Sequence, residues 1–255
     1  MTSLRRRLLD GGRVAGLFVQ TPHPVVTELL GALGVDVLCV DQEHSAMGPE
    51  TVHALVGGAA LGGVPAIVRV ADGTAHHIAA ALDAGAAGVL VPRVGSAAAA
   101  EAAVRFARYP PAGERGMGPG RASGYGRRIA ESLARADEET LVAVQIETRA
   151  ALDVLDEILG IDGVDLIFVG PGDLSVSLGL AGGLADPRLR PVVEDVLDRA
   201  AAAGKATGVF AADVEGGAGW LARGVGLVLV GSDLGFLAAA VEHAWRSLDD
   251  APPPP

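Results

Sequence analysis

The sequence predicts an α/β protein of the (β/α)8, or TIM-barrel, class. Three observations lead there: eight short apolar runs, Ala/Leu-rich helical stretches between them, and glycines that repeatedly close a helix just before the next run. The runs are Val14–Val19, Asp36–Val40, Ala66–Val70, Gly88–Val91, Leu141–Ile146, Leu166–Val169, Ala206–Phe210 and Leu227–Val230. Their hydrophobicity is mostly continuous rather than alternating, the mark of strands covered on both faces and hence parallel. Eight β–α alternations in 255 residues fit a closed barrel. A doubly wound sheet is the rival. Against it, no Gly-x-Gly-x-x-Gly follows the first run and no Gly-x-x-x-x-Gly-Lys-Ser/Thr occurs.

The intervening helices are expected over Pro24–Leu33, Pro49–Leu61, His76–Ala84, Ala97–Ala107, Arg149–Leu159, Pro191–Ala203 and Ala218–Ala222. Gly34, Gly62, Gly85, Gly160, Gly204 and Gly224 follow helix ends, where the left-handed conformation costs a glycine little. The widest gap, Arg108–Thr140, separates the fourth and fifth strands, a length typical of functional or mobile loops. Ser232–Leu248 reads as a terminal helix. Its Leu234, Leu237, Val241 and Trp245 form an apolar stripe that, in a plain barrel, would cover the chain's own eighth and first strands. Residues 1–255 are read as a single barrel domain, with Ala251–Pro255 as a frayed tail.

Composition narrows the function. Apolar residues are 50% and charged residues 20%, ordinary for a globular chain and unlike a disordered one. The net charge is −11 and the longest basic run is Arg5-Arg6-Arg7, which argues against nucleic acid or anionic membranes as partners. A single cysteine, Cys39, excludes an internal disulfide. No cationic leader and no long uncharged apolar window is present, so a soluble cytoplasmic protein is expected. Of the 20 basic residues only one, Lys205, is a lysine.

In such a barrel the reactive groups sit where strands end. The second run leads into Asp41-Gln42-Glu43-His44, the third carries Arg69, the fifth is followed by Glu147, and the sixth by Gly170-Pro171-Gly172-Asp173. Taken singly, each has a plainer explanation: a carboxylate after a strand is more often a turn or helix cap, and an arginine half of an ion pair. Their convergence on one rim, and Glu147 at the end of an apolar strand where a solitary carboxylate is costly, favour a site. Glu147 and Asp173 form an oxygen pair suited to a hard divalent cation such as Mg²⁺ or Mn²⁺. Zinc fits less well, because Cys39 lies within a strand and the adjacent His76-His77 point apart on a helix. The Asp41–His44 spacing suggests a dyad in which the carboxylate orients the imidazole as a base. Arg69 offers paired N–H groups to a keto oxygen. Together these suit enolate chemistry on a 2-keto acid. Lys205 precedes the seventh strand, at the opposite face, so an imine mechanism has almost no candidate residue. A Gly-x-Ser-x-Gly nucleophile turn is also lacking. The turn after the seventh strand, Ala211-Ala212-Asp213, has no glycine to cradle phosphate, although Gly231-Ser232 after the eighth is a weak signal the other way.

A run of motifs in fixed order carries a family resemblance. They are Gly16-Leu17-Phe18, Val40-Asp41-Gln42-Glu43-His44, Val68-Arg69, Leu90-Val91-Pro92, the Arg108–Gly116 stretch Arg-Tyr-Pro-Pro-Ala-Gly-Glu-Arg-Gly, Val144-Gln145-Ile146-Glu147-Thr148, and the Phe168–Ser175 stretch Phe-Val-Gly-Pro-Gly-Asp-Leu-Ser. From about Gly16 to Ser232 the chain resembles the HpcH/HpaI aldolase family, class II pyruvate aldolases that include 4-hydroxy-2-oxo-heptane-dioate aldolase. The resemblance implies a barrel with a domain-swapped eighth helix, assembled as a homohexamer, a trimer of dimers. It implies that Glu147 and Asp173 bind a divalent metal (Mg²⁺, Mn²⁺ or Co²⁺), that Arg69 contacts the pyruvate keto oxygen, and that His44 with Asp41 handles protons. It implies that the backbone N–H groups of Gly172 and Asp173 hold the pyruvate carboxylate, that Gln145 lies beside the keto acid, and that Asp83 reaches a neighbouring subunit's site. The chain departs from the family at Phe18, where several members have tryptophan, at Gly172, where alanine is common, at Thr21-Pro22-His23-Pro24, and in the glycine-heavy Met117–Gly126.

The expected activity is metal-dependent, reversible aldol cleavage of a 4-hydroxy-2-keto acid to pyruvate and an aldehyde through a metal-stabilised pyruvate enolate. An oxaloacetate decarboxylase or related enolate-forming lyase on the same site is the second reading. A non-catalytic barrel that binds a keto acid is the third. The expected partners are the keto acid, the aldehyde and further copies of the same chain.

Overall fold

A computed structural model describes residues 2–249; the tail expected to fray, Ala251–Pro255, lies outside the described residues. Eight parallel strands close into a barrel in chain order. They are β1 (Val14–Val19), β2 (Val37–Asp41), β3 (Ala66–Arg69), β4 (Gly88–Val91), β5 (Leu141–Ile146), β6 (Leu166–Val169), β7 (Ala206–Ala211) and β8 (Leu227–Ser232). The closure is made by β1 against β8, where the register shifts between Gly16 and Phe18.

The two-residue period of a strand divides each run between two cores. Val37 and Cys39 of β2, Ile67 of β3, Leu141 and Ala143 of β5, and Leu166 and Phe168 of β6 pack together inside the barrel. The alternate residues Leu38, Val40, Val68, Val142, Val144, Ile167 and Val169 pack against the surrounding helices. Each run is therefore mostly apolar, because both of its faces are buried, and the charged or amide exceptions Asp41, Arg69 and Gln145 fall at or next to a C-terminal end. Extending the inward register past the apolar stretch reaches Gln20 after Phe18, Asp41 after Cys39, Arg69 after Ile67, Gln145 and Glu147 after Ala143, and Gly170 after Phe168. The periodicity that fills the barrel also aims its polar groups at one end.

The helices are α1 (Leu4–Leu9), α2 (Pro24–Ala32), α3 (Pro49–Leu61), α4 (Ala75–Asp83), α5 (Ala97–Ala107), α6 (Ile129–Glu139), α7 (Arg149–Asp153), α8 (Leu155–Leu159), α9 (Pro171–Ser177), α10 (Leu189–Ala202), α11 (Val214–Arg223) and α12 (Asp233–Asp249). Three are additions to the expected set. Short α1, capped by Ser3, joins Leu4 and Leu8 to the interior cluster and closes the N-terminal end of the barrel. α6 fills part of the wide gap and buries no residue, so it leaves no apolar signature. α9 starts at Pro171, which a first helical turn tolerates because its missing N–H has no partner there anyway. The helix expected over Arg149–Leu159 divides at Val154 into α7 and α8. β2 includes Asp41, and β3 stops at Arg69, one residue short of expectation.

α12 differs most from a plain barrel helix. Its apolar stripe does not cover the chain's own β8 and β1: Leu234, Leu237, Val241 and Leu248 are exposed, and Trp245 is 62% exposed. Among the described residues no helix is long and apolar enough to cross a membrane.

Candidate active site

At the C-terminal end of the barrel, Asp41 and Arg69 meet on adjacent strands, directly paired in register. Arg69 Nε donates to Asp41 Oδ1 at 2.9 Å and Nη2 to Oδ2 at 2.8 Å, a two-pronged fork. Gln20 Nε2 adds a third side-chain bond to Oδ2 at 3.0 Å, and the backbone N–H groups of Glu43 and His44 donate to Oδ1 at 3.2 Å. Burial pushes the Asp41 carboxyl up, but the bonds and charge of Arg69, with help from Gln20 and the His44 N–H, hold it below the usual carboxylate range. Asp41 is thus a fixed anion whose lone pairs are engaged. The expected Asp41–His44 side-chain pair does not form, because Arg69, Gln20 and the backbone N–H groups occupy the carboxylate. The His44 imidazole instead faces two other acids: Nε2 lies 3.7 Å from Glu43 Oε2 and 3.9 Å from Asp173 Oδ2. Arg69 itself stacks over the Phe18 ring at 4.3 Å and places Nη1 3.4 Å from Glu43 Oε2.

Glu147 ends the inward face of β5 and is 1% exposed. Its Oε1 accepts the Arg93 backbone N–H at 2.6 Å, and its Oε2 accepts the Gln145 side-chain amide. Arg93 reaches that position with a left-handed backbone, φ 55°, a conformation uncommon outside glycine. Burial lifts the Glu147 carboxyl to about 7, with the charges of Glu43 and Asp173 adding to it and the Gln145 and Arg93 N–H groups opposing. Glu43 is raised for the same first reason, burial, with Asp173 and Asp41 reinforcing it and Arg69 opposing. Its Oε2 is buried without a hydrogen-bond partner, as is Gln145 Oε1. Asp173, in the first turn of α9, is more than half exposed at the rim.

The space beside these groups is a cavity of about 310 Å³. Phe18, Phe168 and Phe210 form one wall, with Phe18 edge-on to Phe168 at 6.5 Å between centroids. Gln20, Arg69 and Gln145 form another, and the first turn of α9 a third. Two glycines shape it. A Cβ at Gly170 would lie 2.8 Å from both Gln145 Nε2 and Glu147 Oε2, so only glycine leaves those groups in place. A Cβ at Gly172 would meet nothing within 4 Å. Gly170, as the cap of α9, also has no side chain to engage the free N–H groups of that turn.

The donor chemistry fits a hard divalent cation. Glu147 is a buried carboxylate without a paired cation, Asp173 an exposed one nearby, and Glu43 Oε2 an orphaned acceptor. Among the described residues no three His, Cys, Asp or Glu side chains form a complete cage.

Asp83 and Lys205 lie away from these groups, Lys205 at the face expected for it. Asp83 closes α4 at the opposite end of the barrel, where Arg115 Nη2 donates to it at 2.8 Å. Lys205 also lies there, its Nζ donating to the Ile161 and Val164 carbonyls at 2.8 and 3.0 Å. Three groups at the site went unassigned in the sequence. Glu43 was visible at the rim. Gln20 had only its inward register to mark it. Arg93 acts through its backbone N–H, which no side-chain pattern reveals.

The family model described as HpcH/HpaI aldolase/citrate lyase matches residues 14–240. The chain is 38% identical over 256 residues to a hydroxypyruvate/pyruvate aldolase of Pseudomonas aeruginosa, covering 98% of this chain and 94% of that protein. It is 37% identical over 257 residues to a 2-keto-3-deoxy-L-rhamnonate aldolase of Klebsiella pneumoniae, with the same coverage. The crystal structure of an aldolase/citrate lyase family protein from Burkholderia cenocepacia superimposes with a TM-score of 0.92 at 32% identity, covering 98% of this chain and all of that one.

Proposed function

The chain belongs to the HpcH/HpaI aldolase/citrate lyase family, and from that premise we propose that it is a class II aldolase, cleaving a 4-hydroxy-2-keto acid reversibly to pyruvate and an aldehyde. The observation that carries this reading is the contrast between a buried, cation-seeking Glu147 and a fully oriented Arg69 at one rim, with the single lysine at the other end.

Glu147 and Asp173 would hold the divalent metal (Mg²⁺, Mn²⁺ or Co²⁺), which supplies positive charge to the keto oxygen when bound. The N–H groups of Gly172 and Asp173 at the start of α9 would bind the keto-acid carboxylate, in the open space beyond Gly172. Gln145 lies alongside. Arg69, held by Asp41, turns a free N–H toward the keto oxygen. His44 Nε2 takes the proton of the C4 hydroxyl. The C3–C4 bond breaks, its electron pair becomes the C2–C3 double bond of an enolate, and the aldehyde leaves. Arg69 stabilises the enolate oxygen, and a proton delivered to C3 completes pyruvate. Asp41 serves by fixing Arg69 rather than by moving protons.

Pyruvate release, followed by a coupled dehydrogenase, tests this. Release from 4-hydroxy-2-oxovalerate with Mg²⁺ or Mn²⁺ is expected. Release from oxaloacetate alone would make the protein a decarboxylase, and release from neither would leave a keto-acid-binding barrel.

The exposed stripe of α12 supports a homo-oligomer, for which the family resemblance implies a hexamer built as a trimer of dimers. A cavity of about 250 Å³ outside β1 and β8 is lined by Leu17, Val35, Val214 and Val230, and by Phe236 from the chain's own α12. The rest of the α12 stripe stays exposed, and the α12 of a second copy would bring an apolar face of the same kind. Swapping costs little, since the same contacts form between chains as would form within one. In that assembly Asp83 would approach a neighbouring site. Light scattering on the intact protein should give a multiple of the 25.6 kDa chain mass; a monomer at micromolar concentration would exclude the exchange. An acidic chain whose one cysteine is buried in the barrel suits the reducing cytoplasm.

A further inference from the structure

One carboxylate joins the root of α12 to the site. Asp233 Oδ1 accepts the backbone N–H groups of Gln20 at 2.8 Å and Leu234 at 2.9 Å, and its Oδ2 accepts the Thr21 N–H at 3.0 Å. It therefore anchors α12 and the chain leaving β1 at once, across more than two hundred residues of sequence. From Gln20 the connection continues. Its side-chain amide donates to Asp41 Oδ2, the oxygen that also receives Arg69 Nη2. Asp233, Gln20, Asp41 and Arg69 form one unbroken chain of hydrogen bonds, each 2.8–3.0 Å long.

We propose that Gln20 is a positioning residue, held by Asp233, that couples the seating of α12 to the orientation of the Arg69 guanidinium. The inference rests on the aldolase reading of Arg69. Gln20 ends an inward-facing series that includes Val14 and Phe18, and it borders the cavity. Its amide is the third side-chain donor to Asp41, and it restrains the carboxylate from the side opposite β3. Without it, Oδ2 keeps only Arg69 Nη2, and the two groups can turn together. A guanidinium that stabilises charge on one oxygen is sensitive to displacements of about an ångström. The backbone at Gln20 depends in turn on Asp233. Loss of either residue should therefore lower turnover through the same group.

The experiment follows exchange of pyruvate methyl protons in D₂O by the metal-loaded protein, well below each variant's melting midpoint. The variants are Gln20→Ala, Gln20→Glu, Asp233→Asn and the Gln20→Ala/Asp233→Asn double. Gln20→Glu keeps length and shape but offers no N–H to Asp41. Asp233→Asn keeps one acceptor to cap α12. Each single change should lower kcat by about 10-fold with KM for pyruvate within about twofold, the signature of a contact that matters after substrate is bound. The double should be no worse than the poorer single, since both act through one chain. Affinity for oxalate, an enolate mimic that needs Arg69, should fall in parallel with kcat. Wild-type rates in Gln20→Glu, or effects that multiply in the double, would overturn the coupling. Absence of exchange in the wild type would overturn the aldolase reading itself, whatever the variants do.

Discussion

Two buried carboxylates, at opposite ends of the same barrel, have opposite surroundings. Asp165, at the N-terminal end, is 4% exposed and fully partnered. Arg5 and Arg108 pair with it at 2.8 and 3.0 Å, and the Val142 N–H donates at 2.9 Å. Glu147, at the C-terminal end, is as deeply buried. It has one backbone N–H and one amide, no arginine, and the charges of Glu43 and Asp173 for company. At Asp165 the chain supplies the neutralising charges itself, as it does for Asp41 with Arg69. Glu147 alone of these three is left to be matched by something the site binds, at the end where chemistry is expected.

The sharpest way to break this comparison is to remove both charges in turn. Asp165→Ala should cost about 3–5 kcal/mol, because it strands a buried arginine, yet leave activity per folded molecule intact. Glu147→Gln should do the reverse. It should keep or raise the melting temperature of metal-free protein and lower turnover by about 10³-fold or more, the scale of several kcal/mol of lost charge stabilisation. Denaturation curves and pyruvate-release rates on the same preparations check both. Equal effects on stability would erase the distinction.

Arg69→Lys ranks next. Lysine keeps the charge but cannot fork Asp41 and still present a planar N–H to substrate. A fall of about 10²-fold in kcat is expected, as for loss of an oxyanion donor. Unchanged methyl exchange would remove Arg69 from its role.

The smallest effect is a pH dependence. Glu147 is raised by burial to about 7, above its unfolded value of about 4.3. In metal-free protein its contribution to stability is therefore complete below about pH 4.3 and lost as pH rises through about 7. A metal held by Glu147, as proposed, would have to displace the same proton. Apparent Mn²⁺ affinity, read by calorimetry or electron paramagnetic resonance, should fall by up to about tenfold per pH unit below about 7 and level off above it. A flat profile from pH 5 to 8 would place the metal elsewhere.

The barrel was legible in the sequence because its strands are buried on both faces and so are mostly apolar. The gathering of Glu147, Arg69 and Asp173 at one rim was legible because charge at or just after the end of such a strand is conspicuous. The sequence misdirected on Asp41. The three-residue spacing to His44 suggested a pair, but the true side-chain partner, Arg69, lies 28 residues away and became adjacent only through the β2–β3 register. Gln20 and Arg93 were silent for different reasons. An amide after a strand has no distinctive pattern, and a backbone N–H has no side chain to read. α6 was missed because it buries nothing, and α9 because Gly170-Pro171-Gly172-Asp173 has the composition of a turn. α12 was legible as an apolar helix, but its stripe is exposed rather than laid on β8 and β1 as in a plain barrel.

The measurement that bears most directly on the contrast between the two ends is methyl-proton exchange of pyruvate in D₂O, before and after metal removal. Exchange should stop in EDTA-treated protein and return with Mg²⁺, Mn²⁺ or Co²⁺, while borohydride in the presence of pyruvate leaves the protein unlabelled. Full exchange in metal-stripped protein, or a stable adduct on Lys205, would contradict the account: the charge left open at Glu147 would then have no part in the reaction.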